Sequence, residues 1–279
     1  MAIKDLAVAY NGSPNADAAL KFAVQMCKKY GACLTALYTH MPPAFEDNVG
    51  RWLSDDVLET LTKAVQEESN AIEAKFKKKV ALEKFKGSVE LIVEEGPAND
   101  LLARALRYYD LLLIGQYSIS TDGDHKLRVE ELVLRSGKPV LIVPDGYKVR
   151  PFNEHAVIAW DGSRTAARAL SDAMQILETK SRLDVVTVIS GDDKADSKDI
   201  SPSNDILRHL KRHGIEAKIV KLSAPRGSHG PAINEYCSEV NPDVLVMGGY
   251  GHARLREKLF GGVTQHVLQY MNVPVFMSH

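Results

Sequence analysis

Three glycines, Gly248, Gly251 and Gly261, stand in the pattern G-x-x-G-x9-G within Met247-Gly-Gly-Tyr-Gly-His-Ala-Arg-Leu-Arg-Glu-Lys-Leu-Phe-Gly-Gly-Val-Thr264. The chemistry open to them is the holding of an anion. Glycine lets backbone amides approach a ligand closely, and a helix opening at Gly261-Gly262-Val263-Thr264 would offer unpaired N–H groups to a phosphate. Spacing alone leaves a second reading open, because paired glycines also make tight turns. His252, Arg254, Arg256 and Lys258 lie in the same loop, as either a cationic lid over a polyphosphate or a solvated face. No G-x-x-x-x-G-K-[ST] run and no evident general base accompany the glycines, so binding is better supported than turnover, and no catalytic residue is assigned. His209 and His213 have an i, i+4 spacing that can chelate a metal, but no third ligand is evident and no metal site is assigned. Ser13 and Ser163 precede alanine-rich helical patterns and read as N-caps, since the G-x-S-x-G context of a nucleophile is missing.

The elements that must carry this loop are written twice. Leu6-Ala-Val-Ala-Tyr-Asn-Gly-Ser is matched by Ala156-Val-Ile-Ala-Trp-Asp-Gly-Ser, each an apolar strand, a polar-Gly-Ser turn and then an alanine-rich helix. Glu95-Gly-Pro-Ala returns as His229-Gly-Pro-Ala, Asp110-Leu-Leu-Leu-Ile-Gly as Asp243-Val-Leu-Val-Met-Gly, and Lys138-Pro-Val-Leu-Ile-Val as Val273-Pro-Val-Phe-Met-Ser. Two copies of one domain, 1–147 and 154–279, account for the 279 residues. Short Val/Ile/Leu/Ala runs alternating with longer helical patterns predict βαβ units and a parallel sheet covered on both faces. Strands are expected near 5–10, 32–39, 88–94, 110–115 and 139–144, and again near 155–160, 183–189, 216–221, 243–248 and 273–278. Helices fall between them, near 164–179, 203–213, 231–240 and 259–271 in the second copy, while the first copy has a long one near 55–85. With the order 3-2-1-4-5, the winding reverses between the first and fourth strands of each copy, and a ligand would sit outside their carboxyl ends.

Composition bounds the partners. The chain carries 35 Lys+Arg against 36 Asp+Glu, a formal charge of -1, which gives no sign of a nucleic-acid surface. Three cysteines without C-x-x-C spacing encode neither a disulfide framework nor a cysteine zinc site. No uncharged apolar run approaches the ~20 residues of a membrane span, and a cytoplasmic location is expected.

Together, the doubled strand–turn–helix start, the internal Gly-Pro-Ala, the glycine spacing and the closing Pro-Val strand resemble the universal stress proteins in their tandem form, across nearly the whole chain. The resemblance implies two five-stranded, Rossmann-like α/β domains of the adenine nucleotide alpha hydrolase type, dimerisation through the last strand, and, in one branch, ATP held by the glycine loop with Mg2+ as an accompanying ion. Carried over, Gly248, Gly251 and Gly261 match the phosphate-loop glycines, and Gly262 and Val263 supply amides at the helix start, with Thr264 nearby. Asp161, next to Trp160, matches the acid that contacts ribose or adenine, and Val188-Ile189 the strand end beside the base.

Two departures qualify this. The ATP-binding pattern places Ser or Thr directly after the third glycine, where this chain has Gly262. The first copy has Asn11 for the acid and Arg128-Val129 for the two glycines, and reads as a structural partner without a phosphate cradle. The expected function is a stress-response regulatory protein binding an adenine nucleotide, ATP foremost, in its second domain, with at most slow hydrolysis. Internal domain pairing and a homodimer are the expected assemblies. The alternative is a stress protein that binds no nucleotide and acts through dimer or partner surfaces.

Overall fold

The computed structural model describes residues 3–41, 54–116, 127–189, 202–225, 227–249 and 262–279. The chain divides into two compact units, Ala2–Lys138 and Pro139–His279.

The first unit runs β1 (Asp5–Ala9), α1 (Pro14–Tyr30), β2 (Cys33–His40), α2 (Asp55–Leu82), β3 (Val89–Glu95), α3 (Ala98–Ala105), a 3-10 turn (Leu106–Tyr108), β4 (Leu111–Gly115) and α4 (Val129–Ser136). Its strands lie in the order β3-β2-β1-β4, all parallel. The local chemistry sets the element ends. Ser13 caps α1 by accepting a hydrogen bond from the Ala16 N–H at 3.2 Å, Pro14 occupies the first turn, and Gly31 ends the helix at φ 66°. Leu6, Ala7 and Val8 are fully buried, as expected of a strand covered on both faces.

The second unit runs β5 (Val140–Val143), β6 (His155–Ala159), α5 (Arg164–Leu177), β7 (Arg182–Ile189), α6 (Pro202–Arg212), β8 (Lys218–Ser223), α7 (His229–Val240), β9 (Val244–Gly248), α8 (Gly262–Tyr270) and β10 (Val275–Ser278). Here β10-β9-β6-β7-β8 are parallel and give the complete order 3-2-1-4-5 when read from β8. The winding reverses between β6 and β9. β5 closes the first copy in sequence but packs with the second unit, where it pairs antiparallel with β10 in the register Val275↔Ile142, Phe276↔Leu141, Met277↔Val140. The closing strands thus cover each other's edges, and Phe276 is 1% exposed between them.

The lower end of this unit, at the amino ends of the strands, is held by buried charge. Asp184, fully buried, accepts from the Tyr236 hydroxyl at 2.8 Å and from Arg182 at 3.0 Å, and His155 Nε2 lies 2.8 Å from the same oxygen. Burial works to raise the Asp184 pKa, but the hydrogen bonds from Tyr236, Arg182 and His155 outweigh it and hold the carboxyl below its usual value. For His155, desolvation wins over its Asp184 partner and the imidazole is displaced downward. Alongside, Asp243 accepts from Lys180 at 2.7 Å and from Arg150 at 3.2 Å. Tyr236 belongs to α7, so this end of the helix is tied to the sheet.

Candidate functional site

At the opposite, carboxyl ends of the strands, the second unit opens into a cavity of about 410 Å³ at the reversal between β6 and β9. Its geometry follows from the fold. Every strand in a parallel α/β layer ends where the next helix begins, so helix N-termini and their unpaired amides collect at one end of the sheet. Three of them border this cavity: Ser163, Thr165 and Ala166 from the start of α5, His229 from α7, and Gly262, Val263 and Thr264 from α8. Val186, Thr187 and Val188 of β7 and Ile233 of α7 form an apolar flank with two hydroxyl groups close by, from Thr187 and Thr165. One face is therefore rich in donors and another suits a flat apolar ring.

The sequence-derived candidates divide in three. Trp160, Asp161, Val188, Gly248, Gly262, Val263 and Thr264 are brought together around the cavity. Ile189, the last residue of β7, is not in its wall and is 39% exposed. Gly251, His252, Arg254 and Gly261, with Arg256 and Lys258, lie outside the described residues.

Individual positions carry different physical reasons. A Cβ on Gly248 would lie 2.5 Å from both the Ala166 nitrogen and the Thr165 carbonyl carbon, so β9 meets the first turn of α5 at glycine distance. Gly115 repeats this in the first unit, 2.5 Å from the Asn15 oxygen. This glycine is demanded by packing whether or not an anion binds. Gly262 differs, since a Cβ there meets no described atom within 4 Å. Ser163 caps α5 as read from sequence, accepting from the Ala166 N–H at 3.2 Å, and Asp161 braces the same turn by accepting from the Ser163 N–H at 2.9 Å. Trp160 takes its place through its backbone, its carbonyl accepting from the Thr187 hydroxyl at 3.1 Å and its N–H donating to Val186 at 2.8 Å.

The first unit treats the corresponding positions otherwise. The Arg128 N–H, at the start of α4, donates to the Asn99 side chain at 2.9 Å, where the second copy has Gly261 and Ile233. The Arg128 guanidinium is engaged with Glu131 at 2.9 Å. The β1–α1 turn is covered by α2: Lys75 donates to the Gly12 carbonyl, and the Phe76 ring lies 5.5 Å from that of Tyr10. Lys75 and Lys79 pair with Asp17 at 3.3 and 2.8 Å. The Arg128 amide and the Arg128, Lys75 and Lys79 side chains are thus engaged by groups of the same unit.

Sequence reasoning missed Ala159, Ser163, Thr165, Ala166, Val186, Thr187, His229, Ile233 and Met247 as wall residues. His229 and Ile233 had a usable signal: they flank the Gly-Pro-Ala that recurs in both copies.

Comparison with known proteins gives a consistent result. The model of the universal stress protein family matches residues 2–144 and 153–279. A curated relative, universal stress protein Slr1230 of Synechocystis sp., is 23% identical over 98% of this chain and 99% of its own. The crystal structure of a universal stress protein from Archaeoglobus fulgidus superposes with a TM-score of 0.71 at 18% identity, over 98% of this chain and 95% of that one. A functionally unknown protein, PA1789 of Pseudomonas aeruginosa, follows at 0.60 and 15% identity, covering 99% and 92%.

Proposed function

The chain belongs to the universal stress protein family, and on that footing we propose that its second domain, 154–279, binds an adenine nucleotide, ATP foremost, as part of a regulatory role in the stress response. The observation that carries this is the convergence of the α5, α7 and α8 N-termini on one cavity beside an apolar flank. Helix N-termini favour phosphate through unpaired amides and the helix dipole. The flank of Val186, Val188 and Ile233 suits the base, and Asp161 stands where a ribose hydroxyl could donate to it. An accompanying Mg2+ would be held mainly by phosphate oxygens and water, since Asp161 is the one carboxylate among the described wall residues. The donors and hydroxyl groups here bind and orient. The reading is of a nucleotide-binding protein with at most slow hydrolysis.

The first domain, 1–147, serves as a structural partner, its helix-start amide being engaged by Asn99. Among the described residues no helix is long and apolar enough to cross a membrane. One observation favours the second reading, a protein acting through its surfaces without nucleotide: Gly262 leaves the start of α8 without a hydroxyl.

Calorimetric titration of magnesium ATP into nucleotide-free protein tests the proposal. Saturation near one nucleotide per chain, lost in Gly261→Asp, supports it. Two per chain would overturn the assignment of the first domain, and no saturation at millimolar ATP would favour the surface-acting reading.

A further inference from the structure

We infer that Tyr236 is a positioning residue for the nucleotide: its hydroxyl, bonded to the buried Asp184, holds α7 against β7 and thereby fixes the width of the apolar flank that receives the base. This rests on the nucleotide reading above and deepens it. Two stripes of side chains carry the argument. On β7, Asp184, Val186 and Val188 stand at every second residue and share one face of the strand. On α7, His229, Ile233 and Tyr236 stand at i, i+4 and i+7 and share one face of the helix. α7 packs on β7, and the two stripes run alongside each other in opposite chain directions. At one end Val186, Val188 and Ile233 line the cavity. At the other, outside its wall, the Tyr236 hydroxyl donates to Asp184 Oδ2 at 2.8 Å. Ile233 and Tyr236 are about one helical turn apart, so the bond and the flank belong to the same stretch of α7.

The anchor is independent of the helix. Asp184 Oδ2 also accepts from Arg182 of β7 at 3.0 Å and lies 2.8 Å from His155 Nε2 of β6, while Lys218 of β8 is 3.5 Å from Oδ1. These groups all belong to the sheet, so the buried carboxylate is held and balanced without Tyr236. What the tyrosine adds is a connection between layers. Burial, and then its bond to Asp184, push the Tyr236 hydroxyl up to about 12, so it stays a donor through the ordinary pH range. In the first copy the matching positions, identified by the repeated Gly-Pro-Ala and by the strand registers, are Thr35 and Leu102. Both are buried, and a leucine there packs without a directional bond. The connection thus belongs to the copy whose cavity is read as the nucleotide site.

The test is magnesium ATP titration of the full chain and its variants, well below the melting temperature of each, with unfolding measured separately. Tyr236→Phe removes one hydroxyl and leaves the carboxylate its sheet partners. It is expected to bind ATP about three- to tenfold more weakly, part of the worth of a hydrogen bond to a charged group. A double-mutant cycle with Ile233→Ala separates positioning from general stability: a hydroxyl that acts through the flank loses most of its effect on ATP affinity once Ile233 is truncated. Should Tyr236→Phe fail to fold, judged by circular dichroism, Asp184→Asn takes its place in the same cycle, since it weakens the same bond from the end away from the cavity. A Tyr236→Phe that melts lower yet binds ATP as the wild type does, or two losses that simply add, would overturn the inference and leave the nucleotide reading intact. A wild type that binds no ATP would instead sink the nucleotide reading and this inference with it.

Discussion

A serine at position 262, at the start of α8, would have no described atom within 4 Å of its Cβ. Gly262→Ser should therefore supply the missing hydroxyl without strain and tighten ATP binding by about two- to tenfold, the worth of one neutral hydrogen bond; calorimetry would show it, and weaker binding would place the phosphates elsewhere. Gly248 gives the opposite case. Its Cβ would strike α5 backbone at 2.5 Å, so Gly248→Ala should cost about 1–3 kcal/mol of stability by urea unfolding, an effect that would appear with or without ligand. The buried lower end adds a pH prediction. His155 has a lowered native pKa, so the unfolded chain binds its proton first as pH falls, and stability should begin to drop below about pH 6.5. Asp184, also lowered, contributes stability present above the usual carboxyl value of about 4 and lost as pH falls through its native one. Thermal melts across this range should show the upper step vanish in His155→Gln. Removing Asp243 strips a partner from both Lys180 and Arg150, and Asp243→Ala should cost about 3–5 kcal/mol.

Elements were the most legible level. The apolar runs that become β1, β4, β6 and β9 are continuous because both of their faces are covered, and Ser13 and Ser163 announce their helices through a local hydrogen bond that sequence order alone determines. The second-copy helices fall within a few residues of their expected limits, and α2 ends at Leu82 against an expected 85. What sequence conveyed poorly was convergence through space. Val188-Ile189 is readable as a strand end, but that the cavity takes Val186, Thr187 and Val188 and stops short of Ile189 depends on where the flanking elements close over β7. Thr187 and Ile233 line one cavity only because α7 packs on β7. Spacing marks Gly248 as a ligand residue, and the structure supplies a packing reason that spacing cannot, since a glycine pattern looks the same whether an anion or a helix comes close. Ser163→Ala, which removes the α5 cap, should lower stability by about 1 kcal/mol, measurable by thermal or urea unfolding.

For the molecule as a whole, the antiparallel β5–β10 pair means that the second copy does not cover its own last strand. A fragment of residues 154–279 would leave β10 with an open edge, and antiparallel self-pairing about a two-fold axis is the simplest way to close it. Light scattering during size exclusion should give twice the fragment's mass, and a monomer at every concentration would count against this. The asymmetry between the copies also bears on how they can change. In the first unit the α4 amide is held by Asn99 and the Arg128 side chain by Glu131. Replacing Asn99 frees that exposed amide for water or an anion, while replacing Arg128 alone leaves the carboxamide in the way. The two halves therefore differ at this point by a plug rather than by their frame: the first copy keeps a helix start of the same kind and fills it with a side chain of its own.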